Sequence, residues 1–208
     1  MSNEVILLQI SDIIGIASFA LSGFYVSTKD RLDLLGIFIA SFLTALGGGV
    51  IRDVISGKFP SAFLDYLPVL IVIIVLFLAI FLKLHIKNEL QNSKYLILSD
   101  SIGLISFSIS GALVGVHLGF SFFGVALLAV ITATGGGVMR DILLNRVPML
   151  LTSELYGTIS IIIGFFIYMF DSLGYINFFT LLALFVVGLV FRLTAYYKRW
   201  HLPHLKHH

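Results

Sequence analysis

No cysteine occurs among the 208 residues, so disulfides and thiolate metal sites are excluded and the redox compartment is left open. Charge is scarce as well. Asp, Glu, Lys and Arg make up 12% of the chain, against about 25% in an ordinary soluble domain. No nucleophile–base pair, phosphate loop or metal-ligand cluster can be traced. The two glycine triplets lack the βα pattern and the lysine that a phosphate loop needs. These absences argue against an enzyme and give no reason to expect a resident cofactor, a metal or a nucleic-acid partner. The first residues, Met1-Ser2-Asn3-Glu4, lack the basic stretch of a secretory signal, so the first apolar run reads as a mature spanning segment.

What the chain has instead is apolar length. Hydrophobic residues make up 59% of it, and the reading is an all-α integral membrane protein with one transmembrane domain over residues 1–208. A span needs about 20 apolar residues. Seven runs qualify, at roughly 5–26, 34–56, 65–84, 95–116, 121–144, 154–171 and 175–197. Residues 85–94 form the longest polar connection and the seam between two halves. Pro60 and Pro148 follow the second and fifth spans, where proline belongs after a helix end.

Basic residues orient the chain. With the N-terminus outside, the cytoplasmic side carries Lys29, Arg31, Lys83, Lys87, Lys94, Arg146, Arg192, Lys198, Arg199 and Lys206, and the external side only Lys58. The C-terminal histidines, His201 to His208, are given no function. Tyr196, Tyr197 and Trp200 beside Lys198 and Arg199 read as an interfacial belt facing membrane lipid.

A shift of 88 residues aligns the two halves without a gap. Ser11-Asp12 falls on Ser99-Asp100, Gly15 on Gly103, Ser18-Phe19 on Ser106-Phe107, and Ser22-Gly23 on Ser110-Gly111. Gly47-Gly48-Gly49 with Arg52-Asp53 falls on Gly135-Gly136-Gly137 with Arg140-Asp141, and Pro60 on Pro148. Three spans per repeat (about 5–84 and 95–171) place the second copy upside down relative to the first, with the span at 175–197 left over.

The repeated motif is costly, since each glycine in a helix interior costs about 1 kcal/mol relative to alanine. A charge at membrane depth costs roughly 2.5–3.5 kcal/mol on insertion scales. Two uses compete. The triplets are either seams for close helix packing or points where the second and fifth spans are kinked or broken at a permeation or substrate site. Depth along the spans pairs Asp12 with Arg52 and Asp100 with Arg140, one pair toward each face and each serving as a gate or as structural compensation. Arg52 and Asp53, about 100° apart around a helix, are expected to be poor partners for each other. Ser18, Ser22, Ser106 and Ser110 share helix faces with Gly15 and Gly103. They form either a packing seam or a hydroxyl-lined path suited to an alkali cation.

Two copies of Gly-Gly-Gly-Val-x-Arg-Asp, each following Ser-Asp-x-Ile-Gly in a seven-span chain, resemble the prokaryotic trimeric intracellular cation (TRIC) channel family. The likeness runs from Ser11 to about Arg192. It implies 3+3 inverted repeats plus a seventh helix, and a homotrimer in the prokaryotic plasma membrane. It also implies potassium and sodium conduction through a pore in each subunit, with Gly47–Gly49 and Gly135–Gly137 at the pore. The Lys-Glu-Val element of the animal members' lipid site is absent, because Val138-Met139-Arg140 follows the second triplet. The same sequences also resemble a family described as small amino-acid (glycine) transporters, and sequence alone does not separate channel from carrier.

Overall fold

The computed structural model describes residues 3–86, 89–152 and 155–200. Among these residues the chain is all-helical: α1 (Asn3–Lys29), α2 (Leu34–Ile55), α3 (Ser61–Leu64), α4 (Tyr66–Phe81), a 3-10 turn (Leu84–Ile86), α5 (Glu89–His117), α6 (Phe122–Leu143), α7 (Met149–Thr152), α8 (Tyr156–Ser172) and α9 (Phe178–Tyr197). The polar seam expected at residues 85–94 is mostly helix, since α5 begins at Glu89. The His201–His208 tail, Lys87 and Lys206 lie outside the described residues.

Helix ends follow local chemistry, and they repeat. Asp33 and Ser121 cap α2 and α6 by accepting the backbone N–H of Gly36 at 2.7 Å and of Gly124 at 3.4 Å. Such a cap contributes about 1 kcal/mol. Beyond the other ends, Gly57 and Asn145 occupy equivalent turn positions with φ of 69° and 52°, a left-handed conformation that glycine and asparagine tolerate best.

Five helices, α1, α2, α5, α6 and α9, are long and apolar enough to cross a membrane. The other two expected spans are shorter. α4 has 16 residues and α8 has 17, or about 24–26 Å at 1.5 Å per residue, against a hydrocarbon core of about 30 Å. α4 stops at Phe81, two residues before Lys83 turns to a φ of 53°.

At the centre α1 packs on α5 and α2 on α6, and the α1–α2 and α5–α6 contacts close a group of four helices. α4 covers α1, α8 covers α5 and α6, and α9 lies on α5 and α8. Space for Phe107 is made by Gly15, where a Cβ would sit 2.3 Å from the ring, and space for Phe19 by Gly103, at 2.5 Å. The two rings meet edge to face, 5.3 Å between centroids. On the outside, large apolar side chains stand free, with Phe63 and Phe179 each 79% exposed. Water would penalise such a surface, whereas the bilayer is its natural solvent.

Candidate functional site

The glycine triplets sit where α2 and α6 cross, and they do not break either helix. Both helices run without interruption through Gly47–Gly49 and Gly135–Gly137, which corrects the expected break. The reason for the glycines is proximity. A Cβ on Gly48 would lie 2.0 Å from the Thr132 carbonyl oxygen, and one on Gly136 would lie 2.1 Å from that of Thr44. A glycine Cα hydrogen takes the place of each side chain, a contact known from close helix pairs. Gly47 and Gly135 face the flexible tips of Met139 (2.8 Å) and Ile51 (2.9 Å). Gly49 and Gly137 face the guanidinium of Arg52 and of Arg140, each at 3.9 Å. The first two glycines of each triplet therefore build the crossing, and the third leaves room beside a charge.

Those charges form two clusters. In the first, Arg52 Nη1 lies 2.6 Å from Asp12 Oδ1, joining α2 to α1. Arg52 Nε and Nη2 reach Asp53 Oδ1 at 2.9 and 2.8 Å. Ser110, arriving from α5, accepts from Arg52 Nη1 and donates to Asp12 Oδ1 at 2.6 Å. Asp53 Oδ2 accepts the Ser61 N–H at 2.9 Å, tying down the start of α3.

The second cluster repeats this layout 88 positions on. Arg140 Nε and Nη2 reach Asp141 Oδ1, both at 2.8 Å, and Asp141 Oδ2 accepts the Met149 N–H at 2.9 Å. Ser22, arriving from α1, accepts from Arg140 Nη1 and donates to Asp100 Oδ1, both at 3.2 Å. Arg140 and Asp100 stand 3.9 Å apart.

The structure brings together both expected ion pairs, Asp12–Arg52 and Asp100–Arg140. It overturns the expectation that Arg52 and Asp53 are poor partners. Arginine is long enough to fold back along its own helix, so Nε and Nη2 converge on the neighbouring carboxylate, and Arg140–Asp141 does the same. The serine stripe divides. Ser22 and Ser110 each cross into the cluster of the other half. Ser106 is buried and its Oγ finds no hydrogen-bond partner among the described residues. Ser18 is half-buried outside both clusters.

The family model described as glycine transporter matches the chain twice, over residues 9–84 and 97–172, and both ends of the second match lie 88 residues after those of the first. The UPF0126 membrane protein YvgT of Bacillus subtilis is 37% identical over 94% of this chain and 95% of its own length. A structure described as the structural basis for conductance through TRIC cation channels shares the fold with a TM-score of 0.82 and 34% identity, over 96% of this chain and 98% of that one. A prokaryotic TRIC channel in 0.5 M KCl gives a TM-score of 0.85 and 30% identity, over 95% of this chain and all (100%) of that one. The chain belongs to the prokaryotic TRIC channel family. It is a multi-pass membrane protein.

Two residues of this TRIC-family chain that belong beside the second cluster escaped sequence reasoning. Arg192, counted from sequence as a cytoplasmic loop cation, is 0% exposed and lies inside α9. Its guanidinium carbon stands 4.9 Å from the Tyr156 ring centroid, and the Tyr156 hydroxyl lies 4.0 Å from where a Gly137 Cβ would be. The available signal was position, since Arg192 falls five residues before the end of an otherwise apolar helix.

Proposed function

We propose that this protein is a monovalent cation channel for potassium and sodium, with a path through each subunit between α1, α2, α5 and α6. It assembles as a homotrimer in the prokaryotic plasma membrane, with the N-terminus outside and the C-terminus in the cytoplasm. All seven longer helices cross, as two inverted repeats of three plus α9. In that orientation the first cluster lies toward the outer face and the second toward the inner face. The structural likeness to TRIC cation channels supports this reading.

The observation that carries it is the first cluster itself. Among the described residues Asp12 and Asp53 oppose Arg52 alone, which leaves a formal charge of −1. The Asp12 side chain keeps 23% exposure, and a cavity of about 20 Å³ opens beside it, bordered by Gly49, Arg52, Pro68 and Phe107. That volume holds about one water-sized particle. Two charges 4 Å apart at an effective dielectric of 20 interact by about 4 kcal/mol, so the surplus carboxylate offsets part of what a partly dehydrated cation loses in hydration. Each arginine is held by two carboxylates, which offsets its repulsion of the permeant ion. Ser22 and Ser110 supply hard hydroxyl oxygens at the two ends, in keeping with alkali cations.

The test is planar-bilayer recording of the purified protein in KCl. Unitary cation currents are expected, with conductance or open probability changed by Arg52→Ala and Arg140→Ala. The match to the glycine transporter model favours a second reading, in which the same charges hold a zwitterion and the halves alternate. Silence in the bilayer together with saturable glycine uptake into vesicles would establish that carrier and end the channel reading.

A further inference from the structure

The halves of the molecule differ most where the repeat fails. Shifted back by 88 residues, Tyr156 becomes Pro68, and Pro68 borders the cavity next to Asp12. In the second half that place is filled. The Tyr156 hydroxyl stands 4.0 Å from where a Gly137 Cβ would be, and the Tyr156 ring seats the Arg192 guanidinium. Arg192 comes from α9, which has no counterpart in the first half. Among the described residues Arg140 and Arg192 therefore balance Asp100 and Asp141, whereas Arg52 alone faces Asp12 and Asp53.

We propose that Arg192 is a resident countercharge. Seated on the Tyr156 ring, it fills with positive charge the flank of the second cluster into which a permeant cation would otherwise be drawn, so the first cluster is the cation-attracting end of the path. The assignment rests on the cation-path reading above and adds to it a specificity-determining residue. One end of the path concentrates cations, and the other end is electrically neutral and dry. Conduction is accordingly asymmetric, and the asymmetry is written by a helix outside the repeat.

The experiment compares wild type, Arg192→Gln, Arg192→Gln with Asp100→Asn, and Lys198→Gln, which removes an exposed cation from the end of the same helix. Each is reconstituted into vesicles for thallium flux and into planar bilayers for current–voltage curves in graded KCl, and its thermal unfolding is followed in detergent. Removing one buried charge is expected to lower the half-saturating cation concentration about tenfold and to flatten the rectification. Adding Asp100→Asn should return both toward wild type, and Lys198→Gln should leave them alone. Should Arg192→Gln fold poorly, the double variant should recover the fold, because the stranded carboxylate has gone. Unchanged saturation and rectification in a folded Arg192→Gln would overturn the proposal. Where Arg192→Gln folds poorly, a double variant no better folded would overturn it too. A wild type that passes no cation ends the channel reading and this assignment with it, and is told apart by the wild-type trace alone.

Discussion

Arg52 holds Asp12 at 2.6 Å while Asp12 remains 23% exposed, whereas Arg140 stands 3.9 Å from Asp100 with neither side chain more than 1% exposed. The two sites share one motif, one backbone and one pattern of serine exchange. What separates them is the company each carboxylate keeps. Asp12 has Arg52, Ser110 and a small cavity. Asp100 has Arg140 and Ser22, with the Tyr156 ring and the Arg192 guanidinium stacked next to the cluster. The lesson is that a sequence repeat fixes which residues meet, and that departures from it, Tyr156 in place of Pro68 and Arg192 on α9, set how tightly they bind and whether water reaches them.

The comparison is sharpest where the halves should respond alike. Gly48 and Gly136 face equivalent carbonyl oxygens at 2.0 and 2.1 Å from a would-be Cβ. Neither backbone can move away without parting α2 from α6. Gly48→Val and Gly136→Val are each expected to cost more than about 3 kcal/mol, at or beyond the usual range for overpacking, and to abolish the folded species in size-exclusion chromatography. Gly49→Ala meets an arginine tip at 3.9 Å, and Gly137→Ala an arginine tip at 3.9 Å and the Tyr156 hydroxyl at 4.0 Å, so both should remain folded. Unequal loss at Gly48 and Gly136 would show that the crossing is less symmetric than its contacts.

The next effect should separate the halves. Arg140→Gln takes its paired cation from Asp141 in a sealed site, and removing one partner of a buried pair typically costs about 3–5 kcal/mol. Arg52→Gln leaves Asp12 access to water through its exposed edge, so its cost is expected to be roughly half of that figure. Thermal unfolding in detergent ranks the two, and the reverse order would remove the distinction between an open and a closed cluster.

Much of this was legible in the chain before any coordinates. The 88-residue shift already pairs Asp12 with Asp100 and Arg52 with Arg140, because identical residues at one offset share an environment. Opposing charges in apolar spans must find each other, and they do. The continuity of α2 and α6 was not legible. Glycine triplets signal either a broken helix or a close neighbour, and only the position of Thr44 and Thr132 on the facing helix separates the two. The Arg52–Asp53 contact was hidden for a similar reason: angular spacing describes Cβ directions, while a guanidinium sits several bonds farther out. Arg192 was misread because charge counting assigns an arginine near a span end to the loop, and burial is a property of the partner helices.

Smaller effects concern the exchanged serines. Ser110 bridges its pair with a 2.6 Å bond to Asp12, while Ser22 bridges at 3.2 Å on both sides. Shorter charge-assisted bonds are the stronger ones. Ser110→Ala is expected to cost about 1.5–3 kcal/mol and Ser22→Ala about 0.5–1.5 kcal/mol, read as a difference in unfolding midpoint. Equal losses would mean that the looser geometry of the second cluster carries no energetic weight.

The smallest expected effect lies at the surface, and it concerns another contact present in only one half. Arg146, in the loop after α6, pairs with Asp30 in the turn after α1, with 35% and 25% of the two side chains exposed. The equivalent positions hold Lys58 and Leu118, so the mirrored site keeps the cation and lacks the acid. A half-exposed pair contributes about 0.2–1 kcal/mol, and Asp30→Asn should shift the unfolding midpoint by no more than a degree or two. Its place matters more than its size, because it ties the segment leading from Arg140–Asp141 to α7 onto the end of α1. In the channel reading, loosening that tie should raise open probability at the neutral end and leave unitary conductance alone. Leu118→Asp supplies the missing acid opposite Lys58, and should lower open probability from the other side. If Asp30→Asn altered conductance with unchanged open probability, the pair would belong to the path and not to its closure.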